Sequence, residues 1–162
     1  TSLYTSTRTH STSGVIAKSV KAQTPMRTVN WYKMYLVENS NYEYNPYHNS
    51  ESVVSTMITG SQWDTMLNFV LTGSDKGKVT QRTGNHTGSV AGTGKFGNDI
   101  MSNIFDISSN VREWTQEAYS STYRAFRGSY YVVSSTFTSD HLNNNTPTNS
   151  NGSLRFAPCT LC

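Results

Sequence analysis

The two cysteines, Cys159 and Cys162, are spaced C-x-x-C near the end of the chain, a spacing used for metal binding and for redox chemistry. A zinc site would need two more ligands, and the four histidines show no matching spacing. A redox C-x-x-C opens a helix, whereas this pair ends a strand-like run. We therefore predict that both cysteines are small core or edge residues of a final strand.

Asp106 and Glu113 are the carboxylates most suited to act together, although a turn and a strand separate them. We assign them to a cation rather than to acid–base chemistry. No G-x-S-x-G, P-loop or H-E-x-x-H motif occurs, and no catalytic residue is predicted.

The composition is dominated by small polar residues, since Ser, Thr and Asn make up 60 of the 162 residues. The 10 Tyr, 6 Phe and 3 Trp nevertheless supply large apolar areas, which disordered chains lack. The sequence therefore predicts a folded domain with much irregular structure and a polar surface. A net charge of +3 without Lys/Arg runs argues against nucleic-acid binding, and no apolar stretch reaches the roughly 18 residues needed for membrane insertion.

The elements that must position these residues are few. A short helix is predicted in residues 30–39, and a longer one begins at Ser61 with a capping box formed with Asp64. The longer helix carries an apolar stripe and stops at Thr72-Gly73; the stripe consists of Trp63, Met66, Leu67, Val70 and Leu71. Strands are predicted at 103–107, 110–115, 123–133 and 154–161, with loops at 73–100 and 134–153.

The domain is predicted to span residues 24–162. Residues 1–23 form a Ser/Thr-rich segment, which could supply an edge strand around 14–20 or act as a linker from a longer chain.

Several segments occur in an order typical of one family. TGSQWDTMLNFV (59–70), IFDISSNVREWTQE (104–117), RAFRGSYY (124–131) and NGSLRFAPCTL (151–161) follow TVNWYKMYLVEN (28–39). Together they resemble formylglycine-generating-enzyme-type domains, the sulfatase-modifying-factor type. The resemblance implies an α+β, C-type-lectin-like fold with two short helices, small twisted antiparallel sheets and much irregular loop.

The departures from the family determine the expected chemistry. Its catalytic members use a cysteine pair, a copper site in the mature form, and Val133 and Thr138 stand at the matching positions. Valine cannot bind copper or form a thiolate, and threonine is a poor substitute. We therefore expect no copper and no oxidase activity.

The resemblance also implies a structural calcium site. Its ligands would be the Asp106 and Glu113 side chains and the backbone carbonyls of Ser109 and Val111. The family usually has Gly at position 109, so Ser109 would be strained if that residue needed a positive φ. Arg112 replaces a Trp of the family and adds a positive charge nearby.

The charges among the aromatic residues of these motifs are expected to be paired, because charged groups are rarely buried alone. We expect Arg127 and Arg155 to pair with a carboxylate such as Glu113 or Asp106.

The segment between R-G-x-Y and the last strand is the most biased of the chain, with Ser, Thr or Asn at 14 of 20 positions in 134–153. The same fold serves as the variable protein of diversity-generating retroelements, in which substitution at adenines of codons, chiefly Asn codons, yields such residues. The resemblance implies a non-enzymatic display domain that binds a protein or glycan ligand on a target cell surface. The expected ligand-binding residues are Tyr130, Tyr131, Ser134, Ser135, Thr136, Thr138, Asp140, His141, Asn143, Asn144 and Asn145.

This display function implies a virion or a bacterial cell surface, as in a phage tail tip or an adhesin, and allows a homo-oligomer within a longer chain. Two alternatives stay open. The chain could be a structural or assembly module of a phage particle or surface fibre, or a calcium-dependent carbohydrate-binding lectin, although it has no E-P-N or Q-P-D triplet.

Overall fold

A computed structural model describes residues 3–4, 18–19, 21–32, 54–150, 152–156 and 158–161. These residues form one complete α-helix, α1 (Gly60–Leu71), two short 3-10 helices (Lys76–Lys78 and Gly97–Asp99) and small sheets. The predicted α+β class is confirmed. No helix within these ranges is long and apolar enough to cross a membrane.

Helix α1 begins two residues earlier than predicted. Its N-cap is Thr59, whose hydroxyl accepts a hydrogen bond from the Gln62 N–H, while the Gln62 side chain accepts one from the Thr59 N–H at 2.8 Å. The predicted box at Ser61 and Asp64 is wrong, because the longer Gln side chain reaches back to the cap from the third helical position. The predicted stop is right, since Thr72 is the C-cap.

The apolar stripe of α1 is narrower than the sequence suggests. Trp63, Leu67 and Val70 are buried and pack with Val79, Met101 and Ile107. Met66 is half-buried against this cluster, whereas Leu71 is 44% exposed and lies outside the core, contrary to prediction. The helix therefore contacts the rest of the domain through about one residue per turn.

The largest sheet has four strands, which are β6 (Arg112–Ala118), β7 (Arg124–Arg127), β8 (Leu142–Asn145) and β9 (Leu154–Phe156). Their order across the sheet is β8-β7-β6-β9. β6 and β7 form an antiparallel hairpin in which Trp114 lies opposite Phe126. β9 runs parallel to β6 on the far side, and β8 pairs antiparallel with β7.

Three two-stranded ladders complete the described structure. β1 (Leu3–Tyr4) pairs with β2 (Lys18–Ser19), β3 (Val54–Met57) with β10 (Pro158–Leu161), and β4 (Ile100–Met101) with β5 (Ile104–Phe105). All three are antiparallel, so β6–β9 is the one parallel pair of the described strands.

Most of the predicted strands correspond to observed ones, but 134–153 is not the uninterrupted loop that we predicted. It contains β8, which pairs with β7 over its whole length. Four neutral polar or apolar residues, LNNN, carry no strong strand signal. Of the predicted helix at 30–39, Trp31 and Tyr32 are helical and the remaining residues after Tyr32 lie outside the described ranges.

Gly128 follows β7 at a position where no side chain fits. Its φ is +78°, and a Cβ atom there would lie 2.7 Å from the Ile107 carbonyl oxygen and 3.5 Å from the Trp63 ring. The R-G-x-Y motif is therefore explained by a left-handed turn laid over the core tryptophan.

Replacing Gly128 with Ala should destabilise the protein by about 2–4 kcal/mol, because backbone strain and a clash with the main chain add up. The measurement is the urea midpoint, with Gly97→Ala as the matched control. Gly97 has no atom within 4 Å of the added Cβ, and this control should change stability by less than about 0.5 kcal/mol. Equal midpoints for the two variants would contradict the assignment.

Candidate functional site

The backbone beneath the site is held by Asn110, a residue that is 1% exposed and has a φ of +66°. Its side-chain oxygen accepts hydrogen bonds from the Ala91 N–H at 2.9 Å and from Asn85 at 3.1 Å. Its side-chain nitrogen donates to the Ala91 carbonyl and to Asp106, and its own carbonyl accepts from the Tyr131 N–H. One buried amide thus joins three separate loops.

A second buried polar group, Asp99, lies next to this junction and is fully buried. Its carboxylate accepts hydrogen bonds from the Ser109 hydroxyl at 2.5 Å and from the Ser108 N–H at 3.1 Å. The Ser109 hydroxyl in turn accepts from the Asn85 N–H at 2.8 Å. Asp99 was missed in the sequence because it stands in a polar loop with no motif around it.

The segment 128–141 crosses this base and is fixed to it at several backbone atoms. The Ser139 carbonyl accepts a hydrogen bond from the Trp63 indole at 3.1 Å, and the Ser139 hydroxyl donates to the Val79 carbonyl at 2.6 Å. Arg82 donates to the carbonyls of Val133 and Ser135, both at 2.6 Å. Apart from the buried Ser139 hydroxyl, these contacts use main-chain atoms of the segment, so its course does not depend on its exposed side chains.

An arginine surrounded by aromatic rings is the main chemical feature of this region. The guanidinium carbon of Arg112 lies 3.7 Å from the centroid of the Tyr130 ring, 4.9 Å from that of Phe126 and 5.1 Å from that of Phe137. The Phe137 ring stacks on His141 with centroids 3.7 Å apart and planes 8° from parallel. We call Arg112, Phe126, Tyr130, Phe137 and His141 the arginine–aromatic cluster.

The guanidinium of Arg112 makes a side-chain hydrogen bond with Tyr130. Its Nε is buried without a hydrogen-bond partner. Burial lowers the pKa of Arg112, and the neighbouring Tyr130 partly offsets this effect. Burial, followed by repulsion from Arg112, lowers the pKa of His141, which Asp140 partly restores.

The structure brings most of the predicted ligand-binding residues to this one region. Ser134, Thr136 and Asp140 are exposed, and a hydrogen bond joins the Thr138 hydroxyl to Asp140. The remaining half-buried members are Tyr130, Tyr131, Thr138, His141, Asn143, Asn144 and Asn145.

Two details of that prediction change. Ser135 is only 5% exposed and its hydroxyl bonds that of Ser129 at 3.0 Å, so it supports the segment and does not face a ligand. In β8, Asn143 lies opposite Phe126 and shares the face of the arginine–aromatic cluster, whereas Asn144 lies on the other face. Sequence reasoning missed Arg112 and Phe137 as members of the site, although Phe137 is the one aromatic residue of 134–153.

The predicted calcium ligands are close in sequence but are engaged by protein groups. Asp106 is buried with a φ of +58°, and its carboxylate accepts hydrogen bonds from the Gly94 N–H and from Asn110. Ser109 does not have a positive φ, so the strain considered there does not arise. Within the described ranges, no three His, Cys, Asp or Glu side chains gather as a metal would require. The residues present therefore offer few free side-chain oxygens for a cation.

The expected partner of Arg127 is wrong. Arg127 makes two hydrogen bonds to Glu117, at 2.8 and 3.0 Å, and lies 3.6 Å from Asp64. Glu113 lies directly opposite Arg127 in the β6–β7 ladder, and its side chain is only 6% exposed. The β6 hairpin bulges between Trp114 and Ala118, which brings Glu117 to the guanidinium. The side chain of Arg155 lies outside the described residues.

Val133 and Thr138, which stand where the catalytic members of the family have their cysteine pair, are both among the described residues. Val133 is 63% exposed, and Thr138 is half-buried. The backbone of Cys159 lies in β10 opposite Thr56, as predicted for a strand residue, and Cys162 is outside the described residues.

His86 is a half-buried titratable group that lies close to the main chain of Tyr130 and Val132. Neither of its ring nitrogens has a partner in hydrogen-bonding geometry. Burial, followed by repulsion from Arg82, lowers its pKa, although the backbone carbonyls of Thr83, Tyr130 and Val132 lie near enough to raise it slightly.

Comparison with known proteins gives a fold and no family. No known protein family matches the sequence, and no curated protein matches it either. The structure is similar to that of PvdO from Pseudomonas aeruginosa, with a TM-score of 0.60 and 13% identity over 88% of this chain. The chain spans 63% of the length of PvdO. At this identity the likeness establishes a shared fold alone.

His86 makes stability depend on pH. Because its pKa is lower in the folded state, the unfolded chain binds more protons below about pH 6.5, and stability falls as pH falls through the folded-state value. We expect the urea midpoint to drop between pH 7.5 and 5.5. His86→Phe should weaken this dependence and leave stability at pH 7.5 equal or higher, since it removes two unsatisfied nitrogens.

The remaining pH dependence is assigned to His141, whose pKa is lowered too. The double variant His86→Phe/His141→Phe should therefore be less pH-dependent than either single variant. An unchanged slope in both single variants would show that the pKa of neither imidazole differs between the folded and unfolded states.

Proposed function

We propose that this protein is a non-enzymatic binding domain that presents the side chains of segment 130–145 to a ligand on a target cell surface. The main observation behind the proposal is that the buried groups and the exposed side chains of this segment have different roles. Its backbone is fixed by buried groups, while its exposed side chains make few contacts that the fold needs.

Buried and exposed side chains lie next to each other along this segment. Ser135 and Ser139 are 5% and 0% exposed, whereas their neighbours Ser134, Thr136 and Asp140 are exposed. The buried serines are held by Ser129, Val79 and Trp63, as described above. A side chain can therefore change at an exposed position without moving the main chain.

The chemistry of the exposed set also suits recognition. Tyr, Ser and Asn make adaptable polar contacts with a modest loss of entropy, as in antibody paratopes. Tyr130 belongs to the arginine–aromatic cluster, Tyr131 lies against its ring, and Asn143 lies next to His141. A protein surface of this kind can be altered in specificity without a change of scaffold.

The finer identity that we propose is a C-type-lectin-like domain of the formylglycine-generating-enzyme type, used as the variable protein of a diversity-generating retroelement. The shared fold with PvdO and the ordered motifs of the sequence support it. Val133 and Thr138 support the absence of copper and of oxidase chemistry, because neither side chain can act as a thiolate ligand. The setting proposed with it is a virion or bacterial cell surface, with a homo-oligomer as an option.

If segment 130–145 is a display segment, stability should tolerate change at its exposed positions and not at its anchors. Replacing Ser134, Thr136 and Asp140 singly by Tyr should alter the free energy of unfolding by less than about 0.5 kcal/mol. Ser135→Tyr and Ser139→Tyr should each cost about 3 kcal/mol or more, because an aromatic ring cannot fit at a filled, buried position. Urea denaturation measures both sets.

Deep sequencing of the gene in a population provides the second arm of this test. Substitutions confined to residues near 130–155 and absent at positions 135 and 139 would support display. Variation spread evenly along the chain would refute it.

A structural Ca²⁺ held by Asp106, Glu113 and the carbonyls of Ser109 and Val111 stays a prediction. If it is bound, saturating calcium should raise the melting temperature of metal-stripped protein, by an amount that grows with concentration over Kd. Asp106→Asn should abolish the rise, and magnesium is the control ion. No calcium-dependent rise in the parent protein would remove the cation from the proposal.

A further inference from the structure

We infer that Arg112 is the anchor of the binding surface and takes the carboxylate of an acidic side chain on a protein ligand. This inference rests on the proposed display function and names the chemistry of the contact at its centre.

The guanidinium is already set in one orientation. Tyr130 stacks on it at 3.7 Å, and Phe126 and Phe137 lie within 5.1 Å. Phe126 is 2% exposed and belongs to the core, so at least one wall of the cluster is rigid. An arginine held flat loses little entropy when a planar two-oxygen group binds its edge.

A guanidinium has five N–H donors, and Tyr130 is the side chain that hydrogen-bonds to this one. The buried Nε has no hydrogen-bond partner. Arg124 in the next strand shows the contrast. It also lies over an aromatic ring, at 4.9 Å from Trp31, but it donates to the carbonyls of Ser120 and Tyr123.

The charges around the cluster leave the site positive. Asp140 is engaged with the Thr138 hydroxyl, and Glu113 lies on the opposite face of β6, since neighbours in a strand alternate. Arg82 adds a second positive charge beside the segment that it holds. An anionic group therefore meets the positive charge of Arg112, with the Asp140 carboxylate on the His141 side of the cluster.

Two observations favour a protein side chain over an acidic sugar. Sugars bind by stacking on open aromatic faces, but one face of Tyr130 is covered by Arg112 and one face of Phe137 by His141. The combination of Arg and Tyr at the centre of a polar Ser/Asn surface is also the composition of a protein–protein hot spot.

The test uses the whole domain, labelled with ¹⁵N, and follows the Nε–Hε signal of Arg112 by NMR. The probe is N-acetyl-glutamate N-methylamide, with the glutamine analogue as its neutral isostere. We expect the glutamate probe to shift this signal at millimolar concentration and the glutamine probe to bind at least about ten-fold more weakly, because the charge-assisted pair is lost.

The matched variants are Arg112→Lys and Arg124→Lys, each checked for an unchanged melting temperature. Arg112→Lys keeps the charge but loses the planar fork, and should weaken the glutamate probe at least about five-fold, read from backbone amides of the segment. Arg124→Lys should leave the affinity within about two-fold.

Three results would overturn the inference. The glutamate probe could leave the Arg112 signal unmoved, the two lysine variants could weaken binding equally, or glucuronate could bind at least ten times more tightly than the glutamate probe. The last result would assign the site to an acidic glycan. None of them bears on the tolerance of Ser134, Thr136 and Asp140 to substitution, so the display proposal stands or falls separately.

Discussion

The buried side chain of Asn110 is the interaction on which the rest of this domain depends. Its amide oxygen accepts from the Ala91 N–H, and its amide nitrogen donates to the Ala91 carbonyl and to Asp106, while the main-chain carbonyl of the same residue accepts from the Tyr131 N–H. A left-handed residue with a short polar side chain is needed to do this, which asparagine tolerates better than most. The loop at 85–91 and the turn at 130–132 are thus both bonded to Asn110, and the Gly88 N–H also donates directly to the Tyr131 carbonyl at 2.8 Å.

Because Asn110 and similar polar residues are buried, the high content of Ser, Thr and Asn does not describe the surface alone. The abundance of Ser, Thr and Asn suggests a polar surface, but many of these residues are buried and bonded to each other or to main chain. The buried set includes Asn85, Ser108, Ser109, Asn110, Ser129, Ser135 and Ser139. A domain with few strands thus replaces part of its ladder hydrogen bonding by side chains, and such a network is stable only when its members are satisfied. His86 and Arg112 are the described side chains that leave buried nitrogens unsatisfied.

Prediction from the sequence was most accurate where the spacing of apolar residues or a helix cap determines the structure. Helix α1, its end at Thr72 and the strands β6 and β7 were predictable from apolar spacing and local residue types, whereas the pairing of the two strands was not predicted. β8 was not, because its sequence has no alternation and its pairing is decided by β7. The site divides in the same way. The bias of 134–153 pointed to the right surface, but stacking of Arg112 on Tyr130 joins residues from different segments and no local pattern encodes it.

The parallel pairing of β9 with β6 has a consequence for how the chain folds while it is being synthesised. Arg112 and Leu154 are partners although 42 positions (154 minus 112) separate them, and β10 closes on β3 over a still longer stretch. Contacts of such high sequence separation form slowly, because the closure entropy is lost before they are made. A nascent chain on the ribosome would therefore hold β6 with an open edge until residues 154–156 emerge, and a frameshift in the biased segment would leave that edge exposed to aggregation.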